Sequence, residues 1–323
     1  MTPQADLAIY HGNEVWALRG LAIDFEKAFQ AIGLTTVRTD KVFQKVGQLD
    51  AKYHLFVNQG QCYQFASNNR EIPRNSISLF THMVAKRFQS EVKLLNLIKG
   101  ITFFSQQQEA LALSNGISNK NTKSIIMAGD PSKHKIISSH NMPEDILNQY
   151  GLKNKRKYIG FCLKFWDKQS YQERKNYSKI IEVINSLTKL GLPCLILGPG
   201  WQDASDISPK VLLIEAKYDN YEYIYNQIKV YVSLSLNEGG PLPLLESMMC
   251  GCTPVATTVG YAPELMLPFH GNGLLTPMAT SNEITNKIIS IYYANHLIDE
   301  TSKFAQQYSF NNAAAIIYEM FQK

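Results

Sequence analysis

The stretch Ser235–Met266, SLNEGGPLPLLESMMCGCTPVATTVGYAPELM, concentrates the residues that could do chemistry. Glu238 follows an alternating apolar run that reads as a strand, and its carboxylate can accept hydrogen bonds from sugar hydroxyls. Gly239 and Gly240 come next. Without a Cβ they let a ligand approach the backbone. A helix then begins near Leu242, and its first N–H groups, which lack intrahelical partners, form a site for phosphate oxygens. Glu246 lies about one and a half turns further on. A carboxylate there can take both hydroxyls of a ribose, as acidic residues do in other nucleotide folds. One strand, turn and helix thus offers a sugar-hydroxyl acceptor, a diphosphate cradle and a ribose clamp: a nucleotide-sugar site. The plainer readings are a capping carboxylate at Glu238 and a solvated helix residue at Glu246.

The elements that must hold this segment alternate along the chain. Asp6–Tyr10, Thr35–Arg38, His54–Val57, Ile77–Phe80, Ile101–Phe104 and Ser124–Met127 read as short strands. Gly20–Ile32 and Val84–Ile98 carry apolar residues at helical spacing. The polar segment Pro131–Lys157, with its basic run Lys153, Lys155, Arg156 and Lys157, reads as a crossover. The pattern then restarts. Tyr158–Leu163, Cys194–Leu197, Val211–Ile214, Val230–Leu236 and Thr253–Thr257 read as strands. Tyr177–Leu190, Tyr221–Gln227 and Pro241–Cys250 read as helices, the last with Pro in its first turn and Gly251 past its end. Strands and helices in alternation imply α/β architecture with parallel sheets covered on both sides. Two Rossmann-like doubly wound domains facing a cleft would put the carboxyl ends of their strands where such sheets bind ligands.

Composition narrows the class. The chain has 323 residues, 45% hydrophobic and 18% charged, which excludes a disordered or fibrous protein. No run of about 18 apolar residues exists to span a membrane. Met1 to Tyr10 lacks the basic start and apolar core of a secretory signal, so a cytoplasmic protein is expected. The five cysteines are scattered and complete no zinc set, as expected of buried thiols in a reducing compartment. A formal net charge of +5 permits an anionic partner without specifying nucleic acid. Part of that charge is expected near a diphosphate, at Lys164, Lys168 and the 153–157 run. Lys86, Arg87, Lys93 and Lys99 on helix 84–98 read as a solvated face or as a basic surface for the inner face of an anionic membrane.

Glu238, Gly239, Leu242, Pro243, Glu246, Gly251, Pro254 and Val255 together resemble the Glu-x7-Glu signature of retaining GT-B glycosyltransferases, especially family 4. Gly260-Tyr-Ala-Pro-Glu264 resembles the family's G-G-x-x-E turn, with Tyr261 in place of the second Gly. The resemblance implies a GT-B fold with an N-terminal domain over 1–150, a nucleotide-sugar domain over 151–302 and a terminal helix over 303–323 returning to the first. It implies that Lys164 and Lys168 occupy the place of the family's basic pair for the diphosphate. It sets Val211–Lys217 beside the base, and His82 where many relatives carry a His near the donor hexose. Arg19 and Gly20 are candidates for the absent N-terminal glycine loop. Pro241 departs from the pattern and removes an N–H that could reach the sugar. For the lysines, His82 and Arg19 the plainer reading is an ordinary surface or structural residue. Glu264 could simply serve its helix dipole.

What the resemblance implies is transfer of a sugar from a nucleotide diphosphate sugar, UDP-linked by default, to a glycan or lipid-linked acceptor. The anomeric configuration would be retained, with neither a dedicated protein base nor a cofactor. No Asp-x-Asp metal motif is present, and the lysines would neutralise the leaving group instead. The alternatives are a nucleic-acid-base glycosyltransferase of the same fold, a nucleotide-sugar epimerase or hydrolase, and a binding subunit without catalysis.

Overall fold

A computed structural model of the chain describes residues 4–12, 17–40, 49–69, 71–81, 85–126 and 129–323. Side chains are described for these except at 17, 18 and 85–87. Two compact units emerge, one of Met1–Ala128 with Tyr308–Lys323 and one of Gly129–Gln307.

In the first unit the strands are β1 (Ala5–Tyr10), β2 (Thr36–Thr39), β3 (Ala51–Phe56), β4 (Ser76–Phe80), β5 (Gly100–Phe103) and β6 (Thr122–Ser124). They form a six-stranded sheet in the order β2-β1-β3-β4-β5-β6, parallel throughout. Such strands are buried on both faces and read as apolar runs. Tyr10, Phe56, Phe65, Phe80, Phe88 and Phe103 meet in the core on one side. The last helix, Phe310–Gln322, joins this unit. Phe310 packs edge-on against Phe25 at 5.3 Å, Phe321 stacks near Tyr53 at 4.8 Å, and Asn121 Nδ2 donates to the Met320 carbonyl at 3.1 Å.

The second unit holds β7 (Tyr158–Cys162), β8 (Cys194–Leu197), β9 (Leu212–Ile214), β10 (Ile228–Ser233), β11 (Thr253–Thr257) and β12 (Leu274–Leu275). Their order is β12-β11-β10-β7-β8-β9, again parallel. This is the doubly wound order in which the winding reverses beside the first strand. The switch point therefore lies between β7 and β10, and the chain just beyond each carries the candidate residues. Helices Tyr177–Lys189 and Ser281–Tyr293 pack together over one face of this sheet, where Ile180, Ile184, Ile284 and Ile288 join the core.

Several expectations shift. The strand expected at Ser124–Met127 is Thr122–Ser124, because its partner β5 ends at Phe103, opposite Ser124. Met127 lies outside the described residues. The strand expected at Val230–Leu236 ends at Ser233, and the Leu236 N–H turns away to the Arg174 carbonyl at 2.8 Å. The polar segment Pro131–Lys157 belongs to the second unit. Asn226 ties it down: its Oδ1 accepts from the Ile137 N–H and its Nδ2 donates to the Lys135 carbonyl, both at 2.9 Å. Arg156 is not available to a diphosphate. It donates to the Cys250 carbonyl at 2.7 Å, to the Ile228 carbonyl at 3.0 Å and to Asn226 Oδ1 at 3.1 Å, closing the end of helix Leu242–Met249. Among the described residues no helix is long and apolar enough to cross a membrane.

Candidate active site

The chain leaving β7 is locked before it reaches its lysines. The Leu163 N–H bonds the Leu197 carbonyl at 3.0 Å, the Phe165 N–H bonds the Pro199 carbonyl at 2.9 Å, and Trp201 Nε1 donates to the Leu163 carbonyl at 2.7 Å. Gly198 makes this close approach feasible. Its φ is +140°, and a Cβ there would sit 2.3 Å from the Leu163 oxygen. Lys164 and Lys168 then flank the exposed Trp166 ring, with Nζ 5.3 and 5.4 Å from its centroid. Both ammonium groups lie on the same short segment beyond β7.

Helix Gln169–Lys175 ends at Asn176, which adopts a left-handed conformation with φ +61° and hands the chain on to the next helix. Asn176 Nδ2 donates to the Leu234 carbonyl at 3.2 Å, so the helix end is fastened to the chain leaving β10. This delivers two cations to Glu238. Arg174 Nη1 donates to Glu238 Oε2 at 3.1 Å, and Lys175 Nζ pairs with Oε1. Burial works against the charged carboxylate, but Lys175 and then Arg174 outweigh it and hold the Glu238 pKa below its usual range. Glu238 is therefore an anchored, ionised acceptor rather than a loose cap.

Beyond Glu238, Gly239 and Gly240 lead into helix Leu242–Met249. Gly260 closes against this turn with φ +57°. A Cβ on it would lie 2.8 Å from the Gly239 oxygen and 2.9 Å from that of Glu238. The helix start is leaner in donors than its outline implies. Pro243 has no N–H, and that of Leu244 returns to the Pro241 carbonyl at 2.8 Å. Among the described residues, the Leu242 N–H is the one in this first turn left for an anion.

Glu246 is 2% exposed, so it is not a solvated helix residue. Tyr225 Oη donates to its Oε2 at 3.1 Å and lies 3.5 Å from Cys162 Sγ, while Tyr218 Oη donates to Oε1. Tyr261 is fully buried at the start of helix Ala262–His270, and its hydroxyl finds no hydrogen-bond partner among the described residues. Burial, with the charges of Glu246 and Glu238, raises its pKa well above the usual tyrosine value.

The structure thus brings Glu238, Gly239, Gly240, Leu242 and Glu246 onto one strand, turn and helix of the second unit, with Lys164 and Lys168 on the segment after β7 in that same unit. Arg19 and Gly20 are exposed on helix Ala17–Ala31 of the first unit. His82 lies outside the described residues, as do the side chains of Lys86 and Arg87. Sequence reasoning missed Arg174, Lys175, Tyr218 and Tyr225. The adjacent basic pair ahead of helix Tyr177–Lys189 was the available signal for the first two. Tyr218 stands one residue past the segment expected to flank the base.

No curated protein sequence matches the chain significantly. Solved structures match over nearly its whole length. Sucrose-phosphate synthase from Thermosynechococcus elongatus is 13% identical with a TM-score of 0.74, covering 99% of this chain and 98% of that one. Anabaena HepE, solved with UDP-glucose, is 17% identical with a TM-score of 0.70, covering 98% and 100%. A trehalose-6-phosphate synthase, studied for glycosyl transfer with retention, is 10% identical with a TM-score of 0.69, covering 98% and 99%. At these identities the likeness establishes the fold, that of the GT-B glycosyltransferases. The sequence profile described as Glycosyl transferases group 1 matches residues 146–308, half of the chain and nearly all of the second unit, and the chain belongs to that family.

Proposed function

We propose that the protein is a retaining glycosyltransferase of the family-4 type that moves a sugar from a nucleotide diphosphate sugar, UDP-linked, to a glycan or lipid-linked acceptor. The observation that carries this reading is the placement of two carboxylates on one strand, turn and helix beyond β10, beside the switch point. One is held ionised by two cations and one is buried on paired hydroxyls. HepE, of the same fold, was solved with UDP-glucose, and the trehalose-6-phosphate synthase was studied for transfer with retention.

Each group then has a task. Glu246 accepts the ribose hydroxyls. The Leu242 N–H, Lys164 and Lys168 face the diphosphate and stabilise the charge that develops as it leaves, acting where charge grows in the transition state. Glu238, with the Gly239–Gly240 backbone, accepts hydroxyls of the transferred sugar. The acceptor hydroxyl attacks from the face the diphosphate leaves, and a leaving oxygen takes its proton. The protein then supplies no general base, and the lysines carry counter-charge that a divalent cation carries in other transferases. The expected roles of His82, Arg19 and Gly20 lie on the first unit, and no part of this reading depends on them.

A thermal-shift panel of UDP, GDP and ADP with their sugars tests it. Ligand at 100-fold over its dissociation constant stabilises by about 2.7 kcal/mol. A flat response to every nucleotide would sink the reading. With the donor identified, anomeric proton couplings of the product decide retention, and an inverted product would remove the front-face step.

A further inference from the structure

Glu246 receives two tyrosine hydroxyls, and the two tyrosines differ in their freedom to leave. Tyr225 is fully buried on helix Tyr221–Tyr225, with its hydroxyl between Glu246 and Cys162. Tyr218 is 42% exposed and sits in a short turn, Tyr218–Asn220, just ahead of that helix. Its ring lies along Tyr221 at 5.3 Å and His134 at 5.7 Å, with Lys133 Nζ 5.7 Å above it. Withdrawing Tyr225 would open the core. Withdrawing Tyr218 would give up these ring contacts and free Glu246 Oε1.

We propose that Tyr218 is a built-in, affinity-setting competitor at this carboxylate: its hydroxyl occupies the oxygen that a vicinal diol takes, and binding exchanges the one donor for the other. This rests on the ribose role given to Glu246 above. A buried carboxylate oxygen left without a donor is costly, so Tyr218 yields only to a group that replaces its hydrogen bond. A ribose diol does so. A deoxy sugar in the same place strands the oxygen, and a site built on a hydrogen bond rejects an analogue lacking it. The exchange is nearly like for like, so Tyr218 holds down the affinity for the ligand that displaces it.

Calorimetric titration of wild type and Tyr218→Phe with UDP, GDP and ADP, and with their 2′,3′-dideoxy forms, tests this. Tyr218→Phe keeps the ring and loses the competitor. Its best ribonucleotide is expected to bind about tenfold tighter than to wild type, the worth of one hydrogen bond to a charged group. In a Glu246→Gln background the gain should disappear, since the competition acts through that carboxylate. An unchanged or weakened affinity in Tyr218→Phe overturns the competition. The ribose role is judged separately, by wild type alone. If wild type binds the ribo and dideoxy forms equally well, Glu246 does not hold the diol. If no nucleotide binds either protein, both readings fall.

Discussion

Glu238 is ionised because Lys175 and Arg174 meet it from a helix more than 60 residues away in sequence. Its folded-state pKa lies below the unfolded one. The charged triad therefore stabilises the fold above the ordinary glutamate range, and that contribution is lost as pH falls through the folded value. Melting temperatures of wild type and Glu238→Gln should differ most near neutral pH and converge as pH falls below the ordinary glutamate range. A gap that stayed constant would mean that the triad does not govern the carboxyl. Lys175→Met removes the largest opposing cause, so carboxyl carbon NMR should show Glu238 titrating at higher pH. At Glu246 the expectation is different. Glu246→Ala leaves the Tyr225 hydroxyl buried without its acceptor, at about 1–3 kcal/mol, whereas Glu246→Gln keeps an acceptor and should weaken nucleotide binding with little loss of stability. Calorimetry and thermal unfolding separate the two. Both carboxylates were legible in the sequence because their neighbours are local. Their partners were not, because Lys175 reaches Glu238, and Tyr218 reaches Glu246, only through the adjacency of sheet strands.

At the scale of elements, the turn Gly239–Gly240 is seated by Gly260. Gly260→Ala should cost about 1–3 kcal/mol, since its φ is left-handed and two carbonyl oxygens stand under 3.0 Å from the new Cβ. Donor affinity should fall with it. Gly20→Ala should do the reverse. Gly20 lies within helix Ala17–Ala31 with nothing within 4 Å of a Cβ, so the change should stabilise by roughly 0.5–1 kcal/mol. Chemical denaturation of both variants checks the opposite signs. If Gly20→Ala gains stability and loses turnover, Gly20 meets substrate; unchanged turnover would leave it a plain helix residue. Elements with strong apolar patterning, such as β1 and helix Tyr177–Lys189, were readable within a residue or two. Helix Gln59–Asn69, QGQCYQFASNN, was not, because it is amide-rich and buries Gln59 and Gln61 beside Cys62 and Phe65. Helix Gln106–Ser114 carries no clear apolar stripe. Its start is marked instead by Ser105, whose side chain accepts from the Gln108 N–H.

The whole molecule is discontinuous: the first unit is begun by Met1–Ala128 and finished by Tyr308–Lys323. Helix Phe310–Gln322 buries Phe310, Ile317, Met320 and Phe321. At about 1.5–3 kcal/mol for each large side chain, its removal would use up most of a stability of about 5–15 kcal/mol. A chain truncated after Gln307 should therefore lose hydrogen-exchange protection in β1 and β3 while β10 keeps it. Wild-type protection in β3 would show that the helix is dispensable. No residue of 308–323 announces which unit it joins; that expectation came from family resemblance, and contacts such as that of Tyr53 with Phe321 form across the full length of the chain. The same topology sets a clock on the ribosome. Synthesis proceeds at about 5–20 residues per second, so the roughly 180 residues of Gly129–Gln307 take on the order of 10–35 s. For that interval the nascent first sheet waits with Phe25 and Tyr53 uncovered, until Tyr308–Lys323 follows the second unit out of the exit tunnel.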